Sequence, residues 1–168
     1  MHLARPAGSV SQVIPVTAAA LIEPTLAELA DVAGVFDQYR QEYGCAVLSG
    51  QTLAWLSHHI GGGQLSVFTC RIGQELTGVA TAVSLPASLT LTTFWQLRDL
   101  YVVPGARRRG VGRALVGAVR QAADAAGAIR LSVQTEPDNE AALQLYRATG
   151  FAAVEDLCVL SLPLQAGA

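Results

Sequence analysis

The sequence predicts one mixed α/β domain: a central sheet of about six to seven strands flanked by about four helices. Three observations lead there. The chain has 168 residues, 51% of them apolar and 14% charged, the balance of a globular protein with one real core. Apolar residues recur at helical spacing in four stretches and in strand-like runs in seven, with Gly or Pro between them. No internal repeat or composition shift divides the chain. The domain is therefore placed at residues 12–164, after a small, polar and loose start at 1–11 and before a tail at 165–168.

The formal charge of −2 argues against a nucleic-acid surface. No apolar run reaches the ~18 residues of a membrane span, and no signal peptide opens the chain. Cys45, Cys70 and Cys158 are an odd number at unpatterned spacings, which predicts buried, inert thiols in a reducing cytoplasm. There is no lysine; all eleven basic side chains are Arg, and four of them fall between Arg107 and Arg113.

The elements follow in order. Val13 to Thr17 read as a first strand, with Pro15 placing it at a sheet edge. Thr25 and Glu28 form a capping box that opens a helix ended by Gly44. Its core face is expected to hold Leu26, Leu29, Ala30, Ala33, Phe36 and Tyr43. Asp37, Gln38, Arg40, Gln41 and Glu42 read as its polar side, solvated and with an Asp37–Arg40 pair, or as one wall of a binding site. Ser49 is expected to cap a second helix to Ile60, with His58 and His59 at its C-terminal end, where the dipole favours imidazolium. Adjacent histidines diverge on a helix, so no metal site is expected. Gly61-Gly62-Gly63 is a connection.

Leu65–Ile72 and Leu76–Leu85 read as a hairpin turning at Gly73-Gln74 and broken by Pro86. Thr90–Val103 is a long strand rich in Thr and aromatic residues. The helix from about Arg109 to Ala126 places Leu115, Ala118, Val119, Ala122 and Ala126 on one face, and Gly127 ends it. A strand at Ile129–Thr135, a helix at Asn139–Thr149 closed by Gly150, and two last strands at Phe151–Glu155 and Cys158–Leu162 complete the count.

The stretch from Leu97 to Gly112 carries the chemistry. A strand runs into Pro104-Gly105, three arginines follow, and Gly110-Val111-Gly112 opens a helix. The first N–H groups of a helix have no partner within it and favour an anion such as a phosphate. Glycine lets a phosphate approach the backbone, and Arg suits phosphate well. A Rossmann fingerprint would need a glycine where Leu115 stands, and a P-loop would need a lysine. A solvated turn with incidental arginines is the plainer alternative.

Arg107-x-x-Gly110-x-Gly112 resembles the acetyl-coenzyme A signature of the GCN5-related N-acetyltransferases. Asn139-x-x-Ala142-x-x-Leu145-Tyr146-x-x-x-Gly150-Phe151 resembles a second segment of that family. Asn139 and Tyr146 are two turns apart and can face one ligand. The order of elements fits the family too, and the chain looks like a bacterial member of unassigned substrate. The resemblance implies an acyl-CoA N-acyltransferase (GNAT) fold in which two parallel strands splay apart at the cofactor cleft. It implies a cytoplasmic acetyltransferase that moves an acetyl group from acetyl-CoA directly to a primary amine, on a small molecule or a protein, without a metal. A homodimer is possible within such a family.

By position in that family, the Leu100 N–H would hydrogen-bond the thioester oxygen, and Tyr101 and Val102 would border the pantetheine arm. Arg107, Arg108, Arg109, Gly110, Val111, Gly112 and Arg113 would hold the pyrophosphate. Asn139 would touch the pantetheine arm, and Tyr146 would protonate the leaving sulfur; helix capping and core packing are the plainer roles of these two. Tyr39, Arg40 and Tyr43 would border the acceptor. The family's glutamate base is replaced by Gln96. Asp99 is the nearest carboxylate, either a base or a structural residue beside the splay, with Glu75 and Glu155 further off and water as another base. A non-catalytic acetyl-CoA sensor of the same fold and a nucleotide-binding regulator remain alternatives.

Overall fold

The computed structural model describes residues 15–20, 24–155 and 157–164. The expected loose start at 1–11, the first residues of the first strand and the tail at 165–168 lie outside them. The order is β1 (Val16–Ala20), α1 (Leu26–Glu42), α2 (Ser49–Gly61), β2 (Ser66–Ile72), β3 (Glu75–Ala87), β4 (Thr92–Val102), α3 (Val111–Ala125), β5 (Leu131–Val133) and α4 (Glu140–Ala148). A single 3-10 turn, Pro104–Ala106, joins β4 to α3. The five strands form one sheet in the order β1-β2-β3-β4-β5. All neighbours are antiparallel except β4 and β5, which run parallel.

The sheet is covered on both faces. Val32, Ala33, Val35 and Phe36 of α1 pack with Leu56 of α2 against Val67, Val79 and Tyr101. On the other face Val111, Leu115, Val116 and Val119 of α3, with Tyr146 of α4, pack against Phe68, Cys70, Ala80, Ala82 and Leu97. Gly78 lets α3 come this close. A Cβ there would lie 2.8 Å from Val111 Cγ1 and 2.9 Å from the Tyr101 carbonyl oxygen.

The capping box forms as the sequence predicts: Thr25 Oγ1 accepts from the Glu28 amide at 3.2 Å, and Glu28 Oε2 accepts from the Thr25 amide at 2.8 Å. Gly44 and Gly127 take the positive φ values of +75° and +69° that end their helices. The hairpin turns at Gly73, φ +63°.

Six expectations are corrected. On α1, Ala30 is exposed and Leu26 and Tyr43 are 71% and 60% exposed; the buried face is Leu29, Val32, Ala33, Val35 and Phe36. Asp37 is buried, inside a hydrogen-bond set described below. Ser49 does not cap α2; Leu48 stands at the cap without a side-chain bond, and Ser49 is the first helical residue. Pro86 does not break β3, since β2 pairs only as far as Ala82 and leaves that edge without a partner that needs the missing N–H. Among the described residues, 151–155 and 157–164 form no strand. Val154, Leu157, Val159 and Leu160 are exposed there, and the three-residue β5 offers too short an edge to template further pairing. Of the cysteines only Cys70 is buried, and burial pushes its thiol up; Cys45 and Cys158 sit in exposed connections.

One irregularity positions everything else. Thr81 faces Asp99 and Ala82 faces Leu97, so Arg98 is an extra residue in β4, a bulge. The bulge reverses the strand's alternation. Before it, Trp95 and Leu97 face α3; after it, Leu100 and Val102 do, while Tyr101 faces α1.

Candidate active site

The bulge is also where β4 and β5 part. Their parallel pairing runs through Trp95–Leu131, Gln96–Ser132 and Leu97–Val133 and goes no further. The Val103 amide donates to Thr77 on β3 at 3.0 Å. By alternation, the amides of Leu100 and Val102 point away from β3, into the gap. That is the edge on which the sequence reading placed the thioester oxygen and the pantetheine arm. Tyr101 turns its side chain the other way and is buried against α1. The Val102 carbonyl accepts from Arg107 Nε at 3.0 Å.

At the end of the gap stands the head of α3. Arg108 and Gly110 have φ of +62° and +87°, a left-handed pattern that turns successive amides inward. Among the described residues, the amides from Arg108 to Arg113 donate no hydrogen bond. Val111 is buried and anchors the turn. Arg108, Arg109 and Arg113 are exposed around it. Arg107 is different: its guanidinium pairs with Glu42 and lies 5.8 Å from the Tyr101 ring, away from the helix head. Gly112 faces inward, where a Cβ would lie 3.1 Å from Leu145 and 3.9 Å from both Leu100 and Val102. Its role is close packing beneath the gap, and open approach belongs to Gly110, whose Cβ position is clear.

Asn139 caps α4, its Oδ1 accepting from the Ala142 amide at 3.2 Å. That occupies the oxygen and leaves the side-chain nitrogen. Tyr146 is buried, with its ring 5.5 Å from Phe151. Its hydroxyl makes no hydrogen bond among the described residues. Burial first, then the neighbouring Tyr43, Glu136 and Asp99, push it up to about 12, so the phenol keeps its proton.

On the α1/α2 face, a cavity of about 640 Å³ opens beside the bulge. Tyr39, Arg40, Trp55, Arg98 and Asp99 are among its lining residues. Asp99 Oδ1 accepts from the Tyr39 hydroxyl at 3.3 Å, and Oδ2 accepts from Thr81. Burial, then Asp99, raises the Tyr39 phenol well above its ordinary value, so it stays a donor. Arg40 donates to Asp37 at 2.7 Å and to Thr52 at 3.2 Å, while Thr52 donates to Asp37 at 2.7 Å. Burial alone would raise the Asp37 carboxyl, but the bonds from Thr52 and Arg40 outweigh it and hold it low.

Tyr43 is exposed and stacks edge-on against Tyr39 at 5.3 Å without lining the cavity. Gln96 pairs with Val83 and Ser132 on β4. Glu75 starts β3, six residues or about 20 Å of strand from the residue opposite Asp99. Glu155 is exposed in the irregular segment after Phe151. Sequence reasoning missed Leu48, Gln51, Thr52, Trp55 and His59, which line the cavity from α2. Their spacing of three and four was the available signal. Among the described residues, no group of His, Cys, Asp and Glu could hold a metal.

Comparison with known proteins agrees with this geometry. The model of the acetyltransferase (GNAT) family matches residues 32–151. The uncharacterized N-acetyltransferase YhfO of Bacillus subtilis is 30% identical over 124 residues, covering 74% of this chain and 83% of that protein. The crystal structure of a probable acetyltransferase superposes with a TM-score of 0.80 at 27% identity, covering 91% and 99% of the two chains. An aminoglycoside N-acetyltransferase in complex with CoA has the same fold, with a TM-score of 0.74 at 19% identity over 97% of this chain and all of that one. The family model covers most of the chain, and a relative covered over most of its own length is an N-acetyltransferase: the chain belongs to the acetyltransferase (GNAT) family and is an N-acetyltransferase.

Proposed function

We propose that the protein transfers the acetyl group of acetyl-CoA directly to a primary amine, through a ternary complex and without an acetyl-enzyme. The observation that carries this is the unpaired β4 edge from Leu100 to Val102. It lies between the free amides at the head of α3 and the cavity that holds Asp99. Acetyl-CoA, the family's donor, supplies an activated acyl carbon on a thiolate leaving group.

The fit of the residues supports the cofactor assignment. Amides 108–113 and the side chains of Arg108, Arg109 and Arg113 suit a pyrophosphate. Val102 and the free nitrogen of Asn139 suit the amides of a pantetheine arm. The Leu100 N–H suits an oxygen that gains negative charge as the carbonyl carbon becomes tetrahedral. The amine nitrogen forms the new C–N bond, the C–S bond breaks, and Tyr146 gives its proton to the departing sulfur, regaining one as the nitrogen of the new amide sheds its second proton. Asp99 takes the proton that the ammonium must lose, directly or through one water; Tyr39 and Thr81 fix its carboxylate for this. Arg107 ties the loop before α3 to α1 through Glu42 and acts by position.

The test is a screen of amines for acetyl-CoA-dependent thiol release, with the N-acetylated product identified by mass spectrometry. Thiol release with formation of an amide is expected. Tight CoA binding with no product from any amine would overturn the enzyme reading for this site and leave a sensor.

A further inference from the structure

We infer that the acceptor is an amine that carries a carboxylate and an apolar body, an amino-acid-like zwitterion whose carboxylate is held by Arg98. This rests on the transferase reading above and names its acceptor class.

The bulge is the reason. In a regular strand Arg98 and Asp99 would point to opposite faces of the sheet. Here Asp99 pairs with Thr81, Arg98 is the extra residue inserted before it, and both line the cavity. The site therefore sets a cation and an anion side by side. The charges around it divide cleanly. The Arg40 charge is balanced by Asp37, at 2.7 Å. Among the described residues, Asp99 is bound only by the neutral donors Tyr39 and Thr81. Among the described residues, Arg98 makes no hydrogen bond and no ion pair, although Asp99 adjoins it in sequence. Among the described residues the cavity thus sets one guanidinium without an anionic partner beside one carboxylate without a cationic partner, a pairing complementary to a zwitterion. An ammonium belongs at Asp99, next to the Leu100 amide where the acyl carbon would sit, and a carboxylate belongs at Arg98.

The rest of the lining suits an apolar body. Phe36 and Trp55 stack at 6.1 Å, and Tyr39 meets Phe36 edge-on at 5.6 Å. Leu48, Leu65 and Val83 complete that side. A polyamine such as an aminoglycoside would set several ammonium groups against Arg98 with only Asp99 to receive them.

The experiment compares phenylalanine, phenylalaninamide and phenethylamine, and the corresponding leucine series, as acceptors for wild-type protein and Arg98→Gln. The carboxylates are expected to exceed their neutral counterparts at least tenfold in kcat/KM. Arg98→Gln should raise KM for the carboxylates tenfold or more, leave the neutral amines and acetyl-CoA affinity unchanged, and so erase the preference. A wild-type preference for the neutral amines, or equal use with no effect of Arg98→Gln, would overturn the inference. Calorimetric binding of the same ligands separates it from the transferase reading. Carboxylate binding that Arg98→Gln abolishes, without turnover, would sustain the subsite and sink the enzyme. Turnover of sisomicin in preference to every carboxylate would sustain the enzyme and sink the subsite.

Discussion

Replacing Tyr146 by Phe isolates one oxygen atom. The ring is buried and packs 5.5 Å from Phe151, and phenylalanine keeps that contact. The hydroxyl makes no hydrogen bond among the described residues, so its loss should change stability by less than about 0.5 kcal/mol. Its loss from the transition state is another matter. A positioned acid contributes roughly 10²–10⁴ in rate, or about 3–5 kcal/mol of barrier. The expected result is a fall of that size in kcat, with KM for acetyl-CoA within about twofold and the unfolding temperature unchanged. The pH profile adds a second check. An acid works below its own pKa and fails above it. Because burial pushes Tyr146 up to about 12, it should impose no alkaline decline in kcat across the neutral and mildly alkaline range. Steady-state kinetics by thiol release, with thermal unfolding in parallel, reads both. An unchanged kcat in Tyr146→Phe would refute the acid role and leave the ring as packing.

Three further predictions follow from particular contacts. Asp99→Asn keeps an acceptor oxygen for one of Tyr39 and Thr81 and turns an NH2 donor to the other hydroxyl, which can accept, but it cannot take a proton; kcat should fall by about 10² or more with folding intact, and activity near wild type would move the base to water. Gly78→Ala drives a methyl to 2.8 Å from Val111 and 2.9 Å from a backbone oxygen, so the head of α3 must shift. That should cost about 1–3 kcal/mol, read as a drop of roughly 3–10 °C in unfolding temperature, with a raised KM for acetyl-CoA. Asp37→Ala strips partners from Arg40 and Thr52 and should cost about 2 kcal/mol, roughly 4–8 °C near neutral pH. The Asp37 carboxyl is held below its unfolded value, so its contribution is present above that value and lost as pH falls through the lowered one; wild type and variant should converge in unfolding temperature below about pH 4.

Several local features were legible in the chain because they depend only on neighbours in sequence. Thr25 and Glu28 cap α1 wherever the helix goes. Gly44, Gly73 and Gly127 adopt the backbone that glycine permits and other residues resist. The Asp37–Arg40 pair was legible as a pair, but its burial was not, because Thr52 reaches it from another helix. The last two strands were misread for a related reason. Apolar residues after Gly150 have strand propensity, but a strand needs an edge to pair with, and β5 supplies only three residues of it.

The sequence alone determined the order of elements as far as α4, the glycine-marked head of α3 and the phenol and amide of α4, since spacing and turn chemistry are properties of the chain. Tertiary structure decided which way the residues of β4 face. One extra residue at Arg98, visible only when β4 is laid beside β3, ends the pairing with β5, turns the Leu100 and Val102 amides into the gap, and sets Arg98 and Asp99 together in the cavity. Alternation along a strand is local, but a bulge exists only relative to a partner, and that is why Tyr39, Arg40 and Asp99 were legible one by one while the juxtaposition of Arg98 with Asp99 was not.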